Sequence, residues 1–297
     1  MKDKRLIVVA GPTASGKTAM SIELARRLDT EIVSADSRQF YRELKIGVAS
    51  PSEQELQMAK HNLVGHISVC EPYNVARYEH DAMRELERIF SEHDTAILTG
   101  GSGLYIKAVC EGLDLMPESD AKVRMELNEL FVTQGIEPLQ RELQARDPEY
   151  WRIVDRQNHI RLIRALEVCR TSGRPYSSFR TGGGKERAFE IVKIGIRRER
   201  DELLERIYKR VDLMMREGLL KEAEGLLPYR HLQALNTVGY KELFEYFDGK
   251  VTLEQATENI KINTRRYAKR QMTWFCKDRQ IHWIDVEKGM DWQWLGI

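Results

Sequence analysis

The sequence is poor in cysteine and has no long apolar run. Its 297 residues contain four widely separated cysteines with no Cys-x-x-Cys spacing, namely Cys70, Cys110, Cys169 and Cys276. This spacing argues against a structural zinc site and against a disulfide framework, and a reducing cytoplasm is the expected location. No segment approaches the length of a membrane span, and the apolar stretch near the N-terminus is too short for a signal sequence. We therefore expect no membrane partner.

The chain also lacks a strong overall charge. Its formal net charge is +1, so a nucleic-acid partner has to be argued from local clusters of basic residues. The length is enough to bury a full core, and we expect either one large domain with an insertion or two domains.

Short apolar runs alternate with amphipathic segments in the first third of the chain, which is the pattern of βαβ units around a parallel sheet. We predict strands at 6–10, 31–36, 63–69, 95–99, 191–196 and 281–285, and helices at 17–28, 78–90 and from a capping box at Thr252 to about 275. The predicted fold class is α/β, a P-loop NTPase-like parallel sheet flanked by helices, with an inserted helical subdomain. The predicted domains are a core at 1–117, a helical insertion at 118–189 and a return to the core at 190–297.

A phosphate-loop motif follows the first predicted strand. Two glycines separated by four residues precede a lysine and a threonine, in the order Gly11, Pro12, Thr13, Ala14, Ser15, Gly16, Lys17, Thr18. We expect Lys17 to hold an outer phosphate and the Thr18 hydroxyl to bind Mg²⁺, while the N-terminus of the next helix adds partial positive charge. ATP is the default ligand of this motif, but a diphosphate can also be the leaving group, so the motif leaves open which bond breaks.

Two further strand ends carry candidate groups. Asp36 follows the second predicted strand, where an ionised carboxylate can hold Mg²⁺, accept a proton or cap the next helix. The strand at 95–99 ends in Gly100-Gly101-Ser102-Gly103 and lacks the Asp that often helps to hold Mg²⁺ in phosphate-loop NTPases. This departure weakens the ATPase interpretation. The glycine run suits either a second contact to diphosphate oxygens, with a hydroxyl from Ser102, or a tight turn that needs glycine.

Basic residues are concentrated in two segments. On the long C-terminal helix, no acidic residue occurs between Lys261 and Lys277, and four cations share one face, namely Arg265, Arg266, Lys269 and Arg270. A second cluster lies in the helical insertion and consists of Arg152, Arg156, His159, Arg161 and Arg164. Two separated basic surfaces together with one phosphate loop favour an extended polyanion such as folded RNA. The aromatic residues of the long helix suit either core packing or base stacking.

The same segments, in this order, resemble the tRNA dimethylallyltransferase family, also called the tRNA isopentenyltransferase or IPP transferase family, in its bacterial type. The resemblance covers nearly the whole chain and is carried by 11–18, 36–41, 100–105, 161–168, 238–242 and 264–275. It implies transfer of a dimethylallyl group from dimethylallyl diphosphate to the exocyclic amine of the adenine immediately 3′ of the anticodon. The tRNAs would be those that read codons beginning with U, and the products N6-isopentenyladenosine and diphosphate.

The resemblance also implies roles for individual residues. Lys17 and Mg²⁺ would hold the departing diphosphate, Asp36 would be the general base, and Ser102, which stands where the family commonly has Thr, would supply a third catalytic group, its hydroxyl. The family's tRNA contacts correspond to Asp36, Ser37, Arg38, Gln39, Ser102, Arg124, Ile160, Arg161, Leu162, Ile163, Arg164, Arg265, Arg266, Lys269 and Arg270. The insertion would clasp the anticodon stem-loop, and we expect the protein to act as a monomer.

The sequence departs from the family pattern at Cys276, where the family usually has Arg, and at His159-Ile160, which replace a more polar pair. Two other classes of protein remain open from the residues alone. A phosphate-loop kinase of a small metabolite or nucleotide would transfer phosphate from ATP, and an RNA-binding NTPase would bind RNA without modifying a base.

Overall fold

The computed structural model describes residues 4–118, 120–182, 184–286 and 295. The chain divides into two compact units. The first unit is formed by Met1–Glu111 together with Glu186–Ile297, and the second unit is Gly112–Lys185. The predicted insertion at 118–189 therefore begins and ends a few residues later than the second unit.

Within the described residues, six parallel strands form one sheet in the first unit, in the order β3-β2-β4-β1-β5-β6. The strands are β1 Arg5–Ala10, β2 Ile32–Ser34, β3 His61–Asn62, β4 Thr95–Gly100, β5 Glu190–Arg197 and β6 Ile281–Asp285. Alternate residues of β1 enter different cores, with Leu6 and Val8 on one face and Ile7 and Val9 on the other. The sheet is buried on both faces, which explains why its strands are nearly continuous apolar runs.

Helices cover this sheet and form the whole regular structure of the second unit's described residues. The helices of the first unit are α1 Lys17–Arg27, α2 Glu53–Met58, α3 Val75–Glu92, α4 Gly103–Glu111, α9 Arg200–Glu217, α10 Leu219–Gly225, α11 Tyr240–Phe247 and α12 Leu253–Phe275. The second unit contains α5 Ala121–Gln134, α6 Glu137–Arg146, α7 Pro148–Trp151, α8 His159–Ser172 and a single helical turn at Tyr176–Phe179. None of the helices in the described ranges is long and apolar enough to cross a membrane.

The second unit has its own apolar core. Leu127 of α5, Leu139 and Leu143 of α6, and Leu162 and Leu166 of α8 are all fully buried. The two leucines of α6 are four residues apart, and so are the two leucines of α8. Each pair therefore lies on one face of its helix, as the sequence periodicity predicts.

Strand register places the predicted site segments at one edge of the sheet. Ala10 at the end of β1 is paired with Gly100 at the end of β4, and Ser34 at the end of β2 is paired with Thr99. The phosphate loop, Asp36 and the glycine run therefore begin at the carboxyl edge, where parallel sheets bind ligands.

The structure confirms most predicted elements and corrects one strand. The strand predicted at 63–69 is wrong, since β3 is confined to His61–Asn62 and the later segment contributes a single bridge from Ile67 to Tyr41. The long C-terminal helix is confirmed, and the Thr252 side chain accepts a hydrogen bond from the Gln255 N–H at its start.

Candidate active site

A cavity of about 720 Å³ lies at the carboxyl edge of the sheet in the first unit. Its wall includes residues of the phosphate loop, residues 36–39 after β2, residues 47–50, and side chains from α9 and α12. Lys17, Thr18 and Asp36 all line it. The cavity therefore brings together two of the three predicted catalytic residues and the predicted metal ligand.

The phosphate loop has the geometry of an anion site. An added Cβ at Gly11 would lie 2.6 Å from the Ile196 carbonyl oxygen, so this position needs glycine. Gly16, with φ 104°, is the N-cap of α1, which has no side-chain cap and no acidic residue in its first turn. The first N–H groups of the helix are thus left for a ligand anion. The Ser15 hydroxyl is also buried, without a hydrogen-bond partner in the described part of the chain.

The side chain of Lys17 is held inside the phosphate loop by the backbone of that loop. Its Nζ donates to the Pro12 carbonyl oxygen at 2.7 Å. Desolvation lowers the pKa of Lys17 to about 8, an effect that Asp36 opposes and Arg210 reinforces. A diphosphate in the cavity would supply the missing negative charge and raise this pKa again, because an opposite charge at close range favours the charged form.

Three arginines that sequence reasoning missed surround the outside of the loop. Arg198 Nε donates to the Ser15 carbonyl oxygen at 2.8 Å, and Arg206 Nε to the Ala14 carbonyl oxygen at 2.8 Å. Arg206 and Arg210 also line the cavity. Burial lowers the pKa of Arg210, and the neighbouring Arg206 lowers it further. Arg206 and Arg210 lie four residues apart on α9 and so share one face of that helix, which is the signal that the sequence offers.

Asp36 lies in a hydrogen-bonded turn. Its Oδ1 accepts from the Arg38 N–H at 3.0 Å, and no partner of Oδ2 is found among the described residues. Ser102 Oγ accepts from the Ser37 N–H at 3.0 Å and donates to Ser37 Oγ at 3.1 Å. Tyr267 lines the same cavity, and its burial, together with the nearby Asp36 carboxylate, raises the pKa of Tyr267 to about 12. Ser102 therefore fixes the turn that carries Asp36, and Tyr267 joins the site.

Close packing accounts for the glycine run after β4. An added Cβ at Gly100 would lie 2.3 Å from the Ala35 carbonyl oxygen, and one at Gly101 would lie 2.1 Å from Gln271 Nε2. At Gly103 it would lie 2.2 Å from the Trp274 ring. Gln271 accepts from the Thr13 N–H at 2.8 Å and donates to the Gly101 carbonyl oxygen at 3.0 Å. The absence of side chains at Gly101 and Gly103 thus allows α12 to pack closely against this segment. Gln271 of α12 connects the phosphate loop to the end of β4 through its two hydrogen bonds.

Two predicted RNA contacts have internal partners. The Arg38 guanidinium donates to the carbonyl oxygens of Gln233 and Ala234 at 2.9 and 3.1 Å. Gln39 Nε2 donates to the Ala49 carbonyl oxygen at 2.9 Å. Both side chains line the cavity. In this structure they hold neighbouring backbone segments in place, and their role in RNA binding stays a prediction.

The basic face of α12 is open to solvent. Arg265, Arg266, Lys269 and Arg270 are all exposed. Arg270 also lines the cavity, so the basic face reaches the site. Of the helix's aromatic residues, Phe275 is buried, whereas Trp274 has 45% of its surface exposed.

In the second unit, two predicted RNA-binding arginines share one carboxylate. Glu167 is fully buried, and its Oε2 lies 3.1 Å from Arg164 and 3.9 Å from Arg124. Arg164 and Glu167 both lie on α8, whereas Arg124 lies on α5, so the Arg124–Glu167 pair joins these two helices.

The predicted RNA contacts at the start of α8 divide into two groups. Ile160, 62% exposed, and the exposed Arg161 face solvent. Leu162 and Ile163 are 0% and 3% exposed and belong to the core of the second unit. The side chains of Leu162 and Ile163 pack in that core, and the predicted RNA contacts of these two residues stay a prediction.

The parallel sheet, the loop after β1 and the cation-lined cavity define an α/β protein with a phosphate-loop-like fold. The family model described as IPP transferase matches residues 39–278. The chain belongs to the IPP transferase family.

Relatives and solved structures support this assignment over nearly the whole chain. The tRNA dimethylallyltransferase of Christiangramia forsetii is 51% identical over 284 residues, which cover 96% of this chain and 94% of that protein. The crystal structure of the tRNA isopentenylpyrophosphate transferase of Bacillus halodurans is 38% identical with a TM-score of 0.70, covering 96% of this chain and 90% of that one. A eukaryotic dimethylallyltransferase acting on tRNA has the same fold, with a TM-score of 0.82, 24% identity, and 95% and 74% coverage.

Proposed function

We propose that this protein transfers a dimethylallyl group from dimethylallyl diphosphate to the exocyclic amine of the adenine immediately 3′ of the anticodon. The substrates are tRNAs that read codons beginning with U, and the products are N6-isopentenyladenosine and diphosphate. Family membership supports the reaction class. The observation that carries the proposal is one cavity that contains an anion site, a carboxylate and an apolar wall.

The anion site suits a diphosphate leaving group. Lys17, Arg206 and Arg210 supply three cations, and the uncapped N-terminus of α1 supplies N–H donors. As the bond between the allylic carbon and the diphosphate oxygen breaks, negative charge grows on that oxygen. Cations and dipoles fixed beforehand stabilise such charge without reorganising. The hydrocarbon group would lie against the apolar wall of the cavity, which includes Val48, Val211, Met214, Leu219, Val238 and Ile260.

Asp36 suits the proton transfer. The adenine amine is a weak nucleophile because its lone pair is delocalised into the ring. As the new nitrogen–carbon bond forms, the amine proton becomes acidic and passes to Asp36, whose Oδ1 is held by the Arg38 N–H while Oδ2 has no partner in the described part of the chain. Positioned bases of this kind contribute roughly 10²–10⁴-fold to a rate.

The residues of the site fit a Mg²⁺ cofactor. The Thr18 hydroxyl lines the cavity and offers oxygen, the ligand atom that Mg²⁺ prefers, while the Asp36 carboxylate serves the proton transfer. The end of β4 has Thr99 and Gly100 where an acidic ligand often lies, so substrate phosphate oxygens and water would complete the coordination. Bound there, Mg²⁺ would neutralise charge on the diphosphate.

The tRNA would be bound by the exposed cations of both units. In the first unit these are Arg265, Arg266, Lys269 and Arg270, and in the second unit Arg124 and Arg161, with the half-buried Arg164 beside them. The target adenine must leave its stack to reach the cavity, which costs a few kcal/mol and least in a loop. We propose that the second unit contacts the anticodon stem-loop and that the protein acts as a monomer in the cytoplasm.

The experiment is to incubate the protein and Mg²⁺ with an unmodified tRNA transcript and either dimethylallyl diphosphate or ATP. The transcript is then digested, and its nucleosides are examined by mass spectrometry. We expect a prenylated adenosine in the reaction that contains dimethylallyl diphosphate and none in the reaction that contains ATP. Its absence would refute the proposal, and phosphate transfer from ATP to a nucleoside or metabolite would favour the kinase class.

A further inference from the structure

Glu222, on α10, accepts four hydrogen bonds outside the proposed reaction centre. Its Oε2 accepts from the backbone N–H groups of Lys45 and Ile46 at 3.1 and 2.9 Å. Its Oε1 accepts from the Gly47 N–H at 2.9 Å and from the Tyr240 hydroxyl at 2.7 Å. Three consecutive N–H groups of one loop are thus bound by a single carboxylate.

Two further contacts hold the same loop. An added Cβ at Gly47 would lie 2.6 Å from the ring of Tyr240, which is fully buried, so the loop packs directly on that ring. Two residues further on, the Ala49 carbonyl oxygen accepts from Gln39 Nε2 at 2.9 Å. The N–H groups of the loop are therefore held by Glu222, and a carbonyl group is held by Gln39.

This loop forms part of the cavity's apolar wall. Residues 47–50 line the cavity, and Val48 is accompanied there by Val211, Met214, Leu219, Val238 and Ile260. Leu219, at the start of α10, is fully buried, so the helix that carries Glu222 also contributes to the wall. The hydrogen bonds of Glu222 reach residues 45–47 and 240, and none of those described reaches the phosphate loop.

We propose that Glu222 is a positioning residue that fixes this apolar wall and thereby sets the affinity for the hydrocarbon part of the allylic diphosphate. The inference rests on the proposed function and adds a specificity-determining contact to it. A carboxylate is needed because both of its oxygens only accept hydrogen bonds. An amide of the same shape would direct its NH₂ group at backbone N–H donors and leave at least one of them unpaired.

The test compares two ligands that share the phosphates and differ in the hydrocarbon. The affinities of inorganic diphosphate and dimethylallyl diphosphate are measured calorimetrically in the presence of Mg²⁺. The proteins are the wild type, Glu222→Gln, Tyr240→Phe and Glu224→Gln, the last altering an exposed residue of the same helix as a control. Thermal unfolding verifies that each variant folds.

We expect Glu222→Gln to weaken dimethylallyl diphosphate binding about tenfold or more, since unpaired backbone donors displace the loop, and to leave inorganic diphosphate binding within about twofold. KM for dimethylallyl diphosphate rises, the affinity for tRNA is unchanged, and Glu224→Gln behaves as wild type. Tyr240→Phe removes one of the four hydrogen bonds and should change the ratio of the affinities for the two ligands by a smaller factor. This variant tests the proposal if Glu222→Gln does not fold.

Two results would overturn the inference in different ways. If the wild type forms no prenylated adenosine from dimethylallyl diphosphate and an unmodified tRNA transcript, the proposed function itself fails, and the inference fails with it. If the wild type discriminates and the folded variants discriminate equally well, the proposed function stands and Glu222 has no part in binding the hydrocarbon.

Discussion

Replacing Lys17 by methionine should make the ligand-free protein more stable while abolishing its affinity for diphosphate. Desolvation lowers the pKa of this lysine from 10.5 to about 8, so the folded state binds its proton less tightly than the unfolded chain does. The destabilisation is full below about pH 8 and disappears as the pH rises towards 10.5. At one pKa unit per 1.36 kcal/mol, the penalty is at most about 3 kcal/mol at pH 7 and about 2 kcal/mol at pH 9.

Urea unfolding of the wild type and Lys17→Met at both pH values measures this difference. Lys221→Met, which removes an exposed lysine of α10, is the matched control. Loss of the hydrogen bond to the Pro12 carbonyl oxygen reduces the gain in unfolding free energy from Lys17→Met. This gain should still exceed that of the control variant, and it should be smaller at pH 9 than at pH 7. Added diphosphate should stabilise only proteins that retain Lys17. A variant that is less stable than the wild type at both pH values would refute the reasoning.

Three further substitutions test other parts of the site. Asp36→Asn should slow single-turnover prenyl transfer by about 10²–10⁴-fold with unchanged tRNA affinity, and full activity would leave the carboxylate only its turn-forming role. Arg266→Ala combined with Lys269→Ala should reduce the salt dependence of tRNA binding by about one to two in slope, whereas an unchanged slope would exclude this face. Gly101→Ala should destabilise the fold by about 1–3 kcal/mol by displacing the glutamine amide of α12. Gly225→Ala, with open space around the added Cβ, is its control, and equal stability of the two would contradict the packing argument.

Local patterns were enough to predict the catalytic core. A buried strand, a glycine-bearing loop and a helix are adjacent in sequence, so the phosphate loop and α1 follow from short-range rules. The position of Asp36 near that loop follows from the carboxyl-edge rule for parallel sheets. The strand predicted at 63–69 failed because its apolar residues serve loop packing, with Ile67 making one bridge to Tyr41.

The rest of the site depends on contacts between distant parts of the chain. Arg206 lies 192 positions from the Ala14 carbonyl that it binds, and Gln271 lies 258 positions from the Thr13 N–H. Glu222 is 175 positions from Gly47. No local pattern marks such pairs. The predicted monomeric state and cytoplasmic location stay predictions from the sequence.

In the proposed reaction, the phosphate loop holds a leaving group while carbon is transferred to RNA. The most direct test follows a reaction of dimethylallyl diphosphate and an unmodified tRNA by phosphorus NMR, with prenylated adenosine quantified in the same sample. We expect one intact diphosphate to be released per adenosine modified, and no release with a transcript that carries guanine at the target position. Release of inorganic phosphate in step with the reaction, or diphosphate release that does not depend on the target adenine, would contradict it.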